Sequence, residues 1–158
     1  MTSVLVAHAP SFEAAGARAV LNLQAEAYVA RALTLLNRTR ALVRADRVRA
    51  FGLLTARRVA LASHLQRYQR FKHGQIFDPV VQHGRASSRV VAHTMKLDCM
   101  ELGEVFSAYH NRWLGCRPSD WDAYARDTLS TVDMLTTNLN AELRAMRQLL
   151  MISDLYRD

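Results

Sequence analysis

An all-α fold, an up-and-down four-helix bundle of long amphipathic helices, is what this sequence predicts. Three observations lead there. Only six Gly and three Pro punctuate 158 residues, and these are the residues that break helices. Half of the residues are hydrophobic, enough for one domain of this length to bury a core. Apolar residues recur at spacings of three and four over long stretches, the period of one helix face. Long helices with short connections pack most economically as antiparallel neighbours.

The first helix is expected to start near Ser11, an N-cap type with Glu13 in the first turn. Its apolar side reads Phe12, Ala15, Ala19, Leu23, Ala27, Ala30, Leu33 and Leu36. No Gly or Pro lies between Arg18 and Phe51, so the break before helix two is placed near Asn37 to Asp46. Thr39 or Asp46 would cap there, and one continuous helix is the alternative. The second helix runs through Phe51, Leu54, Leu61, Leu65, Tyr68 and Phe71 to Lys72-His73, and Gly74 ends or kinks it. Asp78-Pro79 reads as an N-cap and first helical residue of a short turn. Gly84 would stop that turn, and Ser87 or Ser88 restarts the chain.

The third helix is expected over about Ser88 to Leu114, closed by Gly115. Val91, Met95, Leu102, Phe106, Tyr109 and Trp113 form its core stripe, with Cys99 filling the gap. Pro118-Ser119 opens the last helix, with Asp122 placed much as in a capping box. Trp121, Val132, Leu135, Leu139, Met146 and Leu150 form its stripe. The whole reads as a single helical domain over 1–158, with a basic helical part at 11–60 and the rest of the bundle at 60–155.

Charge is unevenly spread. From Arg31 to Arg89 there are thirteen basic residues against Asp46 and Asp78, whereas from Val90 onward seven basic face ten acidic. A basic half can meet nucleic acid, an anionic surface or an acidic protein. Arg44, Arg47, Arg49, Arg57, Arg58, Arg67 and Arg70 spread over several faces and carry no aromatic or helix-turn-helix signature, so nucleic acid is not the expected partner. A solvated arginine-rich surface explains them without one. No run reaches eighteen uninterrupted apolar residues, so no membrane helix is expected. The first ten residues lack a signal-peptide pattern. Cys99 and Cys116 have no metal-type spacing and read as free thiols, which suits a cytoplasmic location.

Metal chemistry lacks its ligand patterns. No Glu has a His three residues later, as a ferritin-like site would need. The residues four after His64, His73, His93 and His110 are Tyr68, Phe77, Leu97 and Leu114, none a carboxylate. There is no Gly-rich phosphate loop and no nucleophile elbow. Tyr68, Lys72, His73 and Asp78 crowd one helix end, where a tethering network is the simplest account.

His93 stands out in the run Ala92-His93-Thr94-Met95-Lys96. It is two residues from both Val91 and Met95, about 160° round the helix from each. That puts it on the outer face, with Leu97, Met100, Glu104, Ser107 and Asn111. Lys96, one turn on, sits beside it. A cationic amine next to an exposed imidazole is what a phosphoryl-bearing histidine needs. An ordinary mixed helix surface would also contain such a pair.

These residues resemble the histidine phosphotransfer (HPt) domains of bacterial phosphorelays. The family's histidine helix carries an Ala-His pair, a lysine three after the histidine and glycines four and ten after it. Ala92, His93, Lys96 and Gly103 match. Leu97 departs from the pattern, since a glycine there leaves room for a partner's phosphoaspartate pocket. The chain is therefore similar to a divergent or inactive member, and the resemblance covers about residues 60–155. It implies that His93 accepts a phosphoryl group from a receiver-domain aspartate and passes it to another, with Lys96 stabilising the phosphoryl oxygens. It implies docking of a response-regulator receiver domain, or another acidic protein, on Leu97, Met100, Gly103, Glu104 and Ser107. It implies no resident cofactor, the receiver supplying Mg²⁺. Two other readings remain: a non-catalytic bundle for protein interaction or self-association, as a homodimer for example, and a basic bundle that binds nucleic acid.

Overall fold

The computed structural model describes residues 12–45, 50–153 and 155, with side chains from residue 16 onward. The chain is an all-α four-helix bundle, and among the described residues there is no strand. Helix α1 spans Phe12–Arg44 and α2 spans Phe51–Phe71. A π turn, Lys72–Phe77, carries α2 into α3, Asp78–His83. Helix α4 spans Ala86–Arg112 and α5 spans Trp121–Ile152.

Cross-helix pairs fix the directions. Glu26 meets Arg147 and Arg40 meets Asp133, so α1 and α5 are antiparallel. Arg58 reaches the Trp113 carbonyl, Gln69 lies beside Gly103, and Asp78 meets Lys96, so α2 and α4 are antiparallel too. Helices α1, α2, α4 and α5 contact one another in ring order, which leaves α2 and α5 on a diagonal. The long central core joins Leu36, Tyr68, Phe77, Phe106, Leu135 and Met146. A smaller cluster of Val43, Leu54, Trp121 and Tyr124 closes one end.

The stripe expected on α5 is buried throughout: Trp121, Val132, Leu135, Leu139, Met146 and Leu150. On α1 the expected side is borne out at Leu36 and in part at Leu33, the side chains of Phe12 and Ala15 lie outside the described residues, and the rest of the buried side is different. Leu21, Ala25, Val29, Ala32, Leu36 and Val43 face the core, whereas Ala19, Leu23, Ala27 and Ala30 are exposed. Alanine occupies every side of this helix, so three-and-four spacing alone selects no unique stripe. Helix α1 also continues past Asn37, and Thr39 is no cap: its hydroxyl donates to the Leu35 carbonyl inside the helix. Asp46, the other expected cap, lies outside the described residues.

Asp78-Pro79 opens the short helix α3 as expected, but Asp78 is not an N-cap, because the helical path is already running when the chain reaches it. Phe77 and Asp78 are both right-handed helical, and the Asp78 amide donates to the His73 carbonyl, five residues back. A proline inside a helix lacks its own N–H and clashes with the carbonyl four residues before it. A wide turn immediately upstream moves the ladder out of that clash. Gly84 does end α3, but with φ −75° and extended backbone. Its glycine is required by proximity, because an added Cβ would lie 2.6 Å from the Val80 carbonyl oxygen. Helix α4 then starts at Ala86, and Ser88 is buried in its first turn. Pro118–Asp120 form a 3-10 turn ahead of α5, and its cap bond involves Asp120 rather than Asp122: the Arg117 amide donates to Asp120 Oδ2 at 2.9 Å.

Candidate functional site

Helix α4 presents two faces to the chemistry. Its core side carries Ser88, Ala92, Cys99, Phe106 and Tyr109. Val91, expected in this stripe, is exposed instead, and the neighbouring Ala92 is the buried residue. The stripe is therefore rotated slightly, yet His93 stays on the outer side and is exposed. Among the described residues it makes no hydrogen bond or ion pair. Leu97 and Met100 beside it are exposed as well.

Lys96 is committed elsewhere. Its Nζ lies 2.6 Å from Asp78 Oδ1, at the first turn of α3. Both side chains are about one-third exposed. The wide turn thus serves the site, since it delivers Asp78 to α4. His73 sits in the same neighbourhood, and burial pushes its imidazole pKa down. The charges of Lys96 and Lys72 add to that, and Asp78 opposes it. His73 is accordingly neutral at neutral pH.

The expected docking residues divide between two places. Leu97 stays with His93 on the outer face. Met100, Gly103, Glu104 and Ser107 line a groove of about 730 Å³ between α2 and α4. Gly103 serves that packing: a Cβ there would stand 3.3 Å from the Gln69 amide oxygen. The floor of the groove is α5, through Leu135 and Leu139, and its deep end holds Tyr68, Lys72 and Cys99.

Tyr68 and Lys72 belong to the helix-end cluster read from the sequence as a tethering network, but the partner of Lys72 on α5 was not foreseen. Lys72 is buried and crosses the bundle to Glu142 of α5, with Nζ 2.7 Å from Oε1. The ammonium also sits over the Tyr68 ring, 4.2 Å from its centroid. A buried lysine keeps its charge only when paired in this way. Tyr68 is completely buried, and its hydroxyl has no hydrogen-bond partner among the described residues. Burial drives its pKa far above the ordinary 10.0, and Glu142 and Cys99 push the same way. The hydroxyl therefore stays protonated. Burial likewise raises the Cys99 thiol, which remains neutral.

The arginine set thins out in three dimensions. Arg58 is buried, donating to Tyr124 Oη and to the Trp113 carbonyl, so it serves the core. Arg47 and Arg49 lie outside the described residues. Among the described residues, no three His, Cys, Asp or Glu side chains gather to hold a metal ion, and no helix is long and apolar enough to cross a membrane. Comparison with protein families, curated proteins and solved structures finds no match for this chain.

Proposed function

We propose that the protein is a phosphoryl carrier with His93 as acceptor, working between receiver-domain aspartates. The observation that carries this reading is an exposed, unpartnered imidazole on the outer face of an antiparallel bundle, with Lys96 one turn along. In the transfer, an imidazole nitrogen attacks the phosphorus of an aspartyl phosphate in line. An N–P bond forms, the acyl P–O bond breaks, and the aspartate leaves as a carboxylate. The receiver would supply Mg²⁺ and most of the catalytic groups. Lys96 would turn from Asp78 toward the phosphoryl oxygens, exchanging one carboxylate partner for a more highly charged one.

A second reading, a non-catalytic interaction bundle, is favoured by Leu97, which is 51% exposed beside the imidazole. An apolar side chain there suits a protein contact better than a phosphoaspartate pocket. Incubation with phosphorylated receiver domains separates the two. Acid-labile label on the wild type and none on His93→Gln is the phosphoryl-carrier result. Receiver binding without label is the interaction-bundle result.

A further inference from the structure

We propose that the outer face shared by α1 and α2 binds the phosphate backbone of duplex DNA without regard to base sequence, through Arg31, Arg38, Arg57 and Arg67. This face lies away from His93 on α4 and does not depend on its chemistry.

Contacts between the two helices fix which side of each is meant. His64 of α2 meets the Tyr28 carbonyl of α1 at 2.8 Å, and the Tyr28 ring packs on Tyr68 and Phe71. Arg31 is one turn after Tyr28, and Arg38 is two turns after Arg31, so both border the seam on α1. Arg57 is two turns before His64 and Arg67 one turn after it, so both border the same seam on α2. Val43 and Leu54 join at one end of the seam, Tyr28 and Tyr68 at the other. The helices are therefore antiparallel, which brings Arg38 level with Arg57 and Arg31 close to level with Arg67. Arg31, Arg38 and Arg67 are exposed, and Arg57 is half-buried. The sequence alone scatters its arginines over several faces, and packing brings these four to one.

Nothing described on the protein neutralises them. Helix α2 contains no Asp or Glu. Glu26, the one acidic residue of α1 with a described side chain, pairs with Arg147 on the α5 side. Arg40, Arg112 and Arg147 each hold a carboxylate, whereas these four arginines make no ion pair or hydrogen bond among the described residues. Like charges gathered on one face attract a polyanion.

The residues between the arginines select which polyanion. On this side the exposed ones are Thr34, Ala60 and Ser63. Val59 is exposed too, but it lies two turns before Gln66, which lines the groove toward α4, and so stands on the other flank of α2. A membrane surface or a protein partner needs large apolar anchors, and a single strand needs aromatic rings for its bases. The stretch between the arginines offers neither. Missing aromatics exclude base stacking, not phosphate contact. Packed helix axes lie roughly 8–10 Å apart. One arginine row can therefore reach each strand bordering a B-form minor groove, whose mouth is about 6 Å wide. The minor groove of duplex RNA is wide and shallow, so the same two rows would span it poorly.

Fluorescence anisotropy of a short labelled DNA duplex mixed with the full chain tests the proposal. Binding is expected at low salt, equal within about twofold for unrelated sequences. Log affinity should fall against log salt with a slope of about −3.6, four phosphates contributing about 0.9 each. Arg31→Gln, Arg38→Gln and Arg67→Gln should each lower that slope by about one and weaken binding about eightfold at about 0.1 M salt. Their melting temperatures should stay at the wild-type value, since all three residues are exposed. The double variant Arg126→Gln, Arg144→Gln removes two exposed arginines of α5 and should leave affinity within about twofold, because salt screens distant charges. Absence of duplex binding at low salt overturns the proposal. So does a slope near zero, or an α5 variant that weakens binding as much as the face variants do. Tighter binding of single-stranded DNA, duplex RNA, polyglutamate or phosphatidylserine vesicles than of the DNA duplex overturns it as well. Phosphoryl labelling of His93 is a different readout, so either reading can fail without the other.

Discussion

Lys96 and Asp78 form a 2.6 Å ion pair that ties α4 to the turn where α2 passes into α3. The lysine that the sequence sets beside His93 is thus also a structural tether. Any phosphoryl group on His93 competes with Asp78 for it. The pair is partly exposed, so its contribution to stability is small, below about 1 kcal/mol.

Freeing Lys96 should therefore favour transfer. Asp78→Asn is expected to speed His93 labelling by roughly two- to fivefold, the reach of a partly exposed ion pair. Lys96→Ala should slow it on the order of a hundredfold, as loss of an electrostatic donor does at other charged transition states. Rates of label transfer from a phosphorylated receiver check both. Slower labelling in Asp78→Asn would mean that Asp78 positions the lysine rather than withholding it.

The Lys72–Glu142 pair is deeper, with side chains 5% and 14% exposed. Removing one partner strands a buried charge. Lys72→Met alone is expected to cost about 3 kcal/mol, and the double variant Lys72→Met, Glu142→Leu should recover most of that. Denaturant unfolding of the two single variants and the double measures the coupling. Additive losses would show that the ions do not act on each other across the bundle.

Gly84 tests the turn between α3 and α4. Gly84→Ala pushes a methyl against the Val80 carbonyl oxygen, and the backbone must shift. The expected cost is about 2 kcal/mol, as for other overpacked sites. Gly115→Ala meets nothing within 4 Å, so its melting temperature should stay close to that of the wild type. The contrast between the two melting temperatures is the readout.

Acid should destabilise the fold through two imidazoles. Burial depresses the pKa values of His73 and His110 below the ordinary 6.5. Below pH 6.5 the unfolded chain binds protons that the folded chain refuses, so stability falls as pH falls. It stops falling once the pH passes below the depressed folded values. The melting temperature of the wild type should drop as the pH falls below about 6.5, the ordinary value at which the unfolded imidazoles take up protons. The variant His73→Gln, His110→Gln should lose much of that slope. At the alkaline end the signs reverse. Tyr68 and Tyr109 are raised above 10.0, chiefly by burial, so stability declines above pH 10.

Much of this fold is legible from residue spacing, because α5 alternates large apolar and polar residues with a clear period. Its six expected core residues are all buried. Helix α1 is illegible in the same terms, since alanine is at home on either face. The wide turn at Lys72–Phe77 is hidden for another reason: Asp-Pro is a strong helix-start signal, and only the surrounding backbone shows the helix continuing. The outward direction of His93 follows from helical projection. The bond between Lys96 and Asp78, eighteen residues apart, does not. Nor does the reach of Lys72 to Glu142, seventy residues away across the bundle diagonal. Local periodicity places a side chain on a face, and tertiary packing chooses its partner.

Phosphorus NMR of the full chain mixed with a phosphorylated receiver domain tests the central claim most directly. A phosphorus–nitrogen resonance that appears with the wild type, vanishes on acidification and is absent from His93→Gln is the predicted result. A resonance that persists in His93→Gln, or none with any receiver domain that binds the protein, would contradict it.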